Sequence, residues 1–220
     1  MSARTFINVL PSDMTQPITT PLPVKRASRW NSSYDASGLN PSVSVFMTQA
    51  AYSRICVHSV SDMKNEVGGF LIGQWCLDEK RQQFVVVEHA LPARYTRQGS
   101  VYLTFTQDSL VDIHDQIDST YKGQKIVGWY HTHPSMGVFL SHYDTWLHNN
   151  FFPEPWQVAL VVEPVSATGG FFVRQKNSLL DPTRYFGFYE LDGSYGRSMV
   201  YWTNLYQLEE EKEKKGDNSK

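Results

Sequence analysis

The chain has 220 residues and a formal net charge of −2, a balance that leaves no basic footprint for a polyanion and argues against a nucleic-acid partner. Hydrophobic residues at 41% and aromatic residues at 14% suffice for one well-filled domain, and the length hardly leaves room for two. Cys56 and Cys76 form no CxxC pair or disulfide framework, and no run reaches the ~20 apolar residues of a membrane span or resembles a secretory signal, so a soluble, cytoplasmic protein without a zinc–thiolate site is expected.

Residues 1–42 are rich in Ser, Thr, Pro and Asn, with prolines at 11, 17, 21, 23 and 41 that block a regular helix. They read as an extended or partly disordered arm ahead of one domain over 43–205. From Thr48 to Ser59, Ala51, Tyr52, Ile55 and Ser59 share one helical face behind a Thr N-cap. Val67 to Trp75 reads as a strand opening on a glycine pair, and Phe84 to Leu91 as a mostly apolar strand. Thr106 to Tyr121 places Leu110, Ile113 and Ile117 at helical spacing behind another Thr cap. Ile126 to His133 is a predicted strand, Ser141 to Phe151 a helix, and Trp156 to Glu163 a further apolar strand. Gly169-Gly170 reads as a turn into a strand over Phe171 to Gln175. Residues 206–220 read as a charged C-terminal tail, in which the mixed-charge run 209–220 is the solvated end of a helix followed by a frayed end. Strands interleaved with helices predict a mixed α/β fold of the α+β type without fixing its topology.

The segment His131-Thr-His133-Pro-Ser-Met-Gly-Val-Phe-Leu-Ser141-His-Tyr-Asp144 carries the chemistry. Side chains alternate along a strand, so His131 and His133 share a face and can grip one metal ion while Thr132 turns away. Pro134 stops the strand, and the loop through Gly137 returns the chain to a helix whose first turn holds Asp144. Two imidazoles and a carboxylate, with a fourth tetrahedral position open, describe a catalytic rather than a structural zinc site. Taken singly, each feature has an ordinary explanation. A lone His-x-His is more often a surface or core pair, and Ser141 with Asp144 resembles a helix-capping pair. Glu66, opening Glu66-Val-Gly-Gly-Phe-Leu-Ile-Gly73, would pass as a strand-end glutamate, although the adjacent glycines suit the rim of a site.

Together, Glu66 and the His-x-His-Pro-x6-Ser-x2-Asp run resemble the JAMM, or MPN-plus, metallopeptidases, whose Gly-Trp-Tyr-His-Ser-His-Pro core is similar to Gly128-Trp-Tyr-His-Thr-His-Pro134 here, with Thr for Ser at 132. The resemblance spans roughly residues 43 to 190. It implies a curved mixed β-sheet flanked by helices, one catalytic Zn2+ on His131, His133 and Asp144, and hydrolysis of peptide or isopeptide bonds. It also implies Glu66 as general base for the attacking water and Ser141 as the hydroxyl facing the developing oxyanion. Every position of the motif is present, which argues against the metal-free scaffolds of the same fold.

The substrate class that the resemblance implies is a ubiquitin or ubiquitin-like protein, cleaved after its C-terminal tail from a conjugate or a precursor. Conjugation enzymes of the E1 or E2 kind, or an activating subunit, would be accompanying partners. The polar, turn-like segment Pro92 to Val101 stands where family enzymes can carry a flap that pairs with the substrate tail, so Arg94 and Arg97 are candidate contacts. Met136, Val138 and Phe139 are further candidates, in an apolar loop between ligands. The rival enzymatic reading is a peptidase that processes a sulfur-carrier protein, and the rival of another class is a non-catalytic interaction scaffold. His142 and His148 match no ligand position. His58, His89 and His114 read as surface or half-buried residues, and Trp129 and Tyr130 as core.

Overall fold

A computed structural model describes residues 16–35, 41–94, 96–99, 102–191 and 197–207, with the backbone alone at 96–99 and 102. The predicted helices are present with the predicted caps. Thr48 accepts from the Ala51 N–H at 3.2 Å to start α1 (Gln49–Ser59), and Thr106 accepts from the Ser109 N–H at 3.3 Å to start α2 (Gln107–Thr120). Ser141 caps α3 (His142–Phe151). The predicted strands appear as β4 (Gly68–Leu77), β5 (Gln83–Pro92), β8 (Lys125–Thr132) and β9 (Val158–Glu163).

These strands form the middle of a 9-stranded mixed sheet, ordered β10, β9, β8, β4, β5, β3, β11, β2, with β1 (Ile18–Thr19) alongside the end of β4. Here β2 is Ala27–Trp30, β3 Ser44–Thr48, β10 Thr168–Phe172 and β11 Phe188–Leu191. β4 lies antiparallel to both β5 and β8, and a register shift in each pairing near Leu71–Gly73 bends it, so the sheet curves. β8 and β9 run parallel, joined through α3, and β9 is buried along its whole length. A strand covered on both faces must be apolar throughout, which explains the run Val-Ala-Leu-Val-Val.

One face of the sheet is covered by α1, whose Ala51, Tyr52 and Ile55 pack among Val87, Leu160, Phe188 and Trp202. The other is covered by α2, α3 and the hairpin strand β7 (Tyr102–Phe105), which bring Ile113, Ile117, Leu147 and Phe105 onto Phe70, Trp129 and Phe172. Among the described residues β7 pairs with β6 (Thr96–Gly99) alone, in a separate two-stranded sheet that the polar, turn-like sequence did not predict. Residues 16–35 belong to the architecture as well. β2 pairs with β11, and Asp35 accepts from the Gly187 N–H at 2.9 Å. The charged run expected at 209–220 lies outside the described residues.

The Gly169-Gly170 pair is a correction. It is not a turn but lies inside β10, opposite Val162 and Val161. The reversal from β9 comes earlier, at 164–167, where Ala167 takes a φ of 52°. The glycines are needed for what covers them, because a Cβ on Gly169 would sit 2.7 Å from the Trp202 ring and one on Gly170 2.4 Å from Tyr185. Gly169→Ala should therefore overpack the Trp202 contact and lower stability by about 1–3 kcal/mol, read as a lower urea midpoint with an unchanged m-value.

Candidate metal centre

β8 ends between two partners that fix it. The Thr132 N–H donates to the Val67 carbonyl at 2.8 Å, and the Val67 N–H donates to the Thr132 hydroxyl at 2.9 Å. On the other side the His133 N–H donates to the Val162 carbonyl of β9 at 2.9 Å. Thr132 is thus used on the β4 side, and His131 and His133 project together as the strand alternation predicts. Their Nε2 atoms are 3.0 Å apart, and both rings are buried.

Two carboxylates close on this pair. Asp144 places Oδ1 3.4 Å from His131 Nε2 and Oδ2 3.4 Å from His133 Nε2, while Glu66 Oε1 lies 3.8 Å from His133 Nε2. The ligand atoms of Glu66, His131 and His133 all fall within 4.8 Å of one another, so these three form a group able to hold a metal ion. The donor set fits zinc. Ligands about 2.0–2.1 Å from a zinc ion stand about 3.3–3.4 Å apart along the edges of a tetrahedron. The Asp144 Oδ1–His131 and Oδ2–His133 separations are close to that edge, the two imidazole nitrogens at 3.0 Å stand somewhat inside it, and Glu66 at 3.8 Å from His133 stands farther off.

α3 delivers Asp144 by its own local logic. The Ser141 hydroxyl accepts from the Asp144 N–H at 3.1 Å, and Asp144 Oδ2 accepts from the Ser141 N–H at 2.7 Å, a reciprocal capping box. Capping of α3 and the approach to both imidazoles therefore share one carboxylate. Burial alone would raise the Asp144 pKa, but the His131 imidazole above all, with His133 and Ser141, outweighs it and holds the carboxyl far below the usual range. Glu66 goes the other way. Burial and the nearby charge of Asp144 push it up to about 7, with His133 opposing. Burial also lowers the pKa of His131, against the pull of Asp144, which favours the neutral, ligating imidazole.

The predicted substrate contacts separate into groups. The Phe139 ring centroid lies 4.7 Å from that of His133, Val138 packs into the α2/α3 core, and the Met136 N–H donates to the His133 carbonyl at 3.1 Å. Arg94 is turned to α2 instead, with its guanidinium 3.7 Å from Asp112 and its carbonyl accepting from the Ser109 hydroxyl. Arg97 lies on β6, and its side chain is outside the described residues.

Trp129 and His148, read from the sequence as core and as unassigned, both reach the site. The Trp129 indole lies flat on His131, with centroids 4.5 Å apart and planes 9° off parallel, and its N–H donates to His148 Nδ1 at 3.1 Å. The periodicities contained this signal: Trp129 precedes His131 by two on a strand, and His148 follows Asp144 by four on a helix.

An imidazole pair with two carboxylates beside it, at the end of a curved sheet, is a donor group able to hold a metal ion. The family model described as "JAB1/Mov34/MPN/PAD-1 ubiquitin protease" matches residues 41–152, and the chain belongs to that family. It is 29% identical over 140 residues to the 26S proteasome regulatory subunit RPN11 of Eremothecium gossypii, covering 63% of this chain and 43% of that one. It is 29% identical over 122 residues to COP9 signalosome complex subunit 5 of Dictyostelium discoideum, covering 54% and 36%. It is 30% identical over 128 residues to the NAD(+) hydrolase TcpA of a Theionarchaea archaeon, covering 58% and 36%. The chain thus spans less than half the length of each of these relatives.

His148 also makes a pH prediction. Burial, with Arg174 nearby, pushes its pKa from 6.5 down to about 3, so the folded state rejects a proton that the unfolded chain takes up. Its contribution to stability is complete above pH 6.5 and is lost as the pH falls from there towards 3, by up to about 1.4 kcal/mol per pH unit. His148→Gln, whose amide oxygen can still accept the Trp129 N–H, should flatten the decline of the urea midpoint between about pH 6.5 and 4.5.

Proposed function

We infer that this protein is a zinc-dependent peptidase that hydrolyses the peptide or isopeptide bond after the C-terminal tail of a ubiquitin or ubiquitin-like protein. The observation that carries the reading is the approach of Asp144 to both imidazoles at 3.4 Å, beside a carboxyl group, Glu66, with a pKa raised to about 7. His131, His133 and Asp144 would hold the ion, leaving Glu66 free for proton transfer. Zinc bound there supplies Lewis-acid polarisation of the scissile carbonyl and of the attacking water.

The chain's own residues account for the rest. Glu66 Oε2 is buried and has no hydrogen-bond partner. A carboxylate poised near neutrality can take the proton of the attacking water and return it to the leaving amine. Ser141 uses an oxygen lone pair to cap α3 and so keeps its O–H for the oxyanion that develops at the carbonyl. The loop through Phe139 walls the centre beside His133 and would meet the residues next to the scissile bond, with Met136 and Val138. The free-standing β6–β7 hairpin is suited to pair with an extended tail by strand addition, with Arg94 and Arg97 near its base. A net charge of −2 is consistent with a protein rather than a nucleic-acid substrate.

Purified protein should bind one zinc ion, with His131→Ala and Asp144→Ala abolishing uptake in calorimetry. Glu66→Gln should keep zinc and the melting temperature while losing turnover of a ubiquitin-like fusion. Wild-type turnover by that variant removes Glu66 from the mechanism, and zinc uptake without turnover by the wild type favours a scaffold. Cleavage of a sulfur-carrier adduct but not of the fusion would redirect the substrate assignment. Ser141→Ala should lose about 1 kcal/mol of stability with its cap and about 10²–10³ in kcat with its donor.

A further inference from the structure

The proposed ligand His133 is followed by a tight turn whose backbone is not at ease. The Met136 N–H donates to the His133 carbonyl at 3.1 Å, Pro134 occupies the second position, and Ser135 takes a φ of 61° at the third. That is a type II turn, which favours glycine at the third position. A serine there invites the central peptide to flip to the type I form, in which the Ser135 φ is negative and its N–H points elsewhere.

Glu163, the last residue of β9, faces this peptide. The residue is 3% exposed, although glutamate is almost never buried without a partner. Oε1 accepts from the Ser135 N–H at 3.0 Å and from the Val165 N–H at 2.7 Å. Oε2 accepts from the Ser166 N–H at 2.9 Å and from the Ser166 hydroxyl. The bond to Ser135 exists only in the type II form. The neighbouring residue on β9 already holds the ligand strand, since the Val162 carbonyl accepts from the His133 N–H.

Resting on the zinc reading above, we propose that Glu163 is a positioning residue that locks the turn after His133 in its type II form and thereby sets the direction in which the His133 imidazole enters the metal centre. It touches no substrate and no ligand atom. Its effect passes through the Ser135 peptide, so the strain at Ser135 and the carboxylate of Glu163 should compensate each other.

That compensation makes the test. Glu163→Ala should weaken zinc binding by about 10–100-fold, the usual cost of losing a group that orients a metal ligand. It should also lower kcat with KM little changed, and shift the His133 ring resonances in NMR spectra of the metal-free chain. Adding Ser135→Gly, which keeps the N–H and favours the left-handed turn, should recover much of the lost affinity and return the His133 resonances towards wild type. Ile55→Val, in the core on the opposite face, serves as a destabilised control that leaves zinc affinity unchanged. The proposal falls if E163A binds zinc within about twofold of wild type with His133 unmoved, or if S135G rescues neither readout, since a purely structural role in the 164–167 turn is indifferent to Ser135. If E163A does not fold, Glu163→Met, which approximates the side-chain volume and removes both acceptor oxygens, is read by the same criteria. If the wild type takes up no zinc, the metal reading fails by itself, and the metal-free His133 spectra still decide the role of Glu163.

Discussion

The His131 and His133 Nε2 atoms meet at 3.0 Å inside the protein, where neither residue is more than 2% exposed. Two imidazoles can be held that close only on a backbone with no freedom to relax. β8 has none, because β4 grips it from one side through Val67 and Thr132 and β9 grips it from the other through Val162. Curvature of β4, the parallel partnership with β9 and the covering of this face by α2 and α3 all serve that one placement. The Trp129 indole packed flat on His131, and itself backed by His148 and Phe152, carries the same rigidity into the side-chain layer.

The second constraint is charge. Burying carboxylates and imidazoles without compensation costs several kcal/mol per ion, so a fold that buries Glu66, His131, His133 and Asp144 together must pair them. Asp144 resolves this as an anion, with both oxygens against imidazoles and one also on the first turn of α3, where the helix dipole favours negative charge. Glu66 resolves it by a raised pKa instead. Two carboxylates facing the same imidazole, His133, thus acquire different protonation behaviour from their surroundings, the condition under which one can ligate while the other moves a proton. Ser141 links the two demands, since its capping of α3 fixes Asp144 and its own hydroxyl in a single stroke.

Much of this was legible beforehand, and the misses share a cause. Local rules sufficed for the Thr48, Thr106 and Ser141 caps, for the shared face of His131 and His133, and for the central strands, because each is a matter of spacing within a few residues. β2, β3 and β11 escaped notice because they are short, and their pairing partners lie far away in the chain. Gly169 and Gly170 misled because a glycine pair marks a turn locally, yet here it makes room for Trp202 and Tyr185. Glu163 was only the boundary of the predicted strand from Trp156, and nothing local connects it with Ser135, 28 residues earlier.

The sequence by itself determined the family, the helix caps and the alternation that puts two imidazoles on one face, since a strand's period and a helix's cap are properties of the local backbone. Only the tertiary structure decided that Glu66 arrives beside His133, that Asp144 faces both rings at once, that Trp129 stacks on His131, and that Glu163 holds the turn beyond them. Those relations join residues on different strands and helices. They follow from the order in which the sheet is assembled and from which face each helix covers, and no spacing along the chain encodes either.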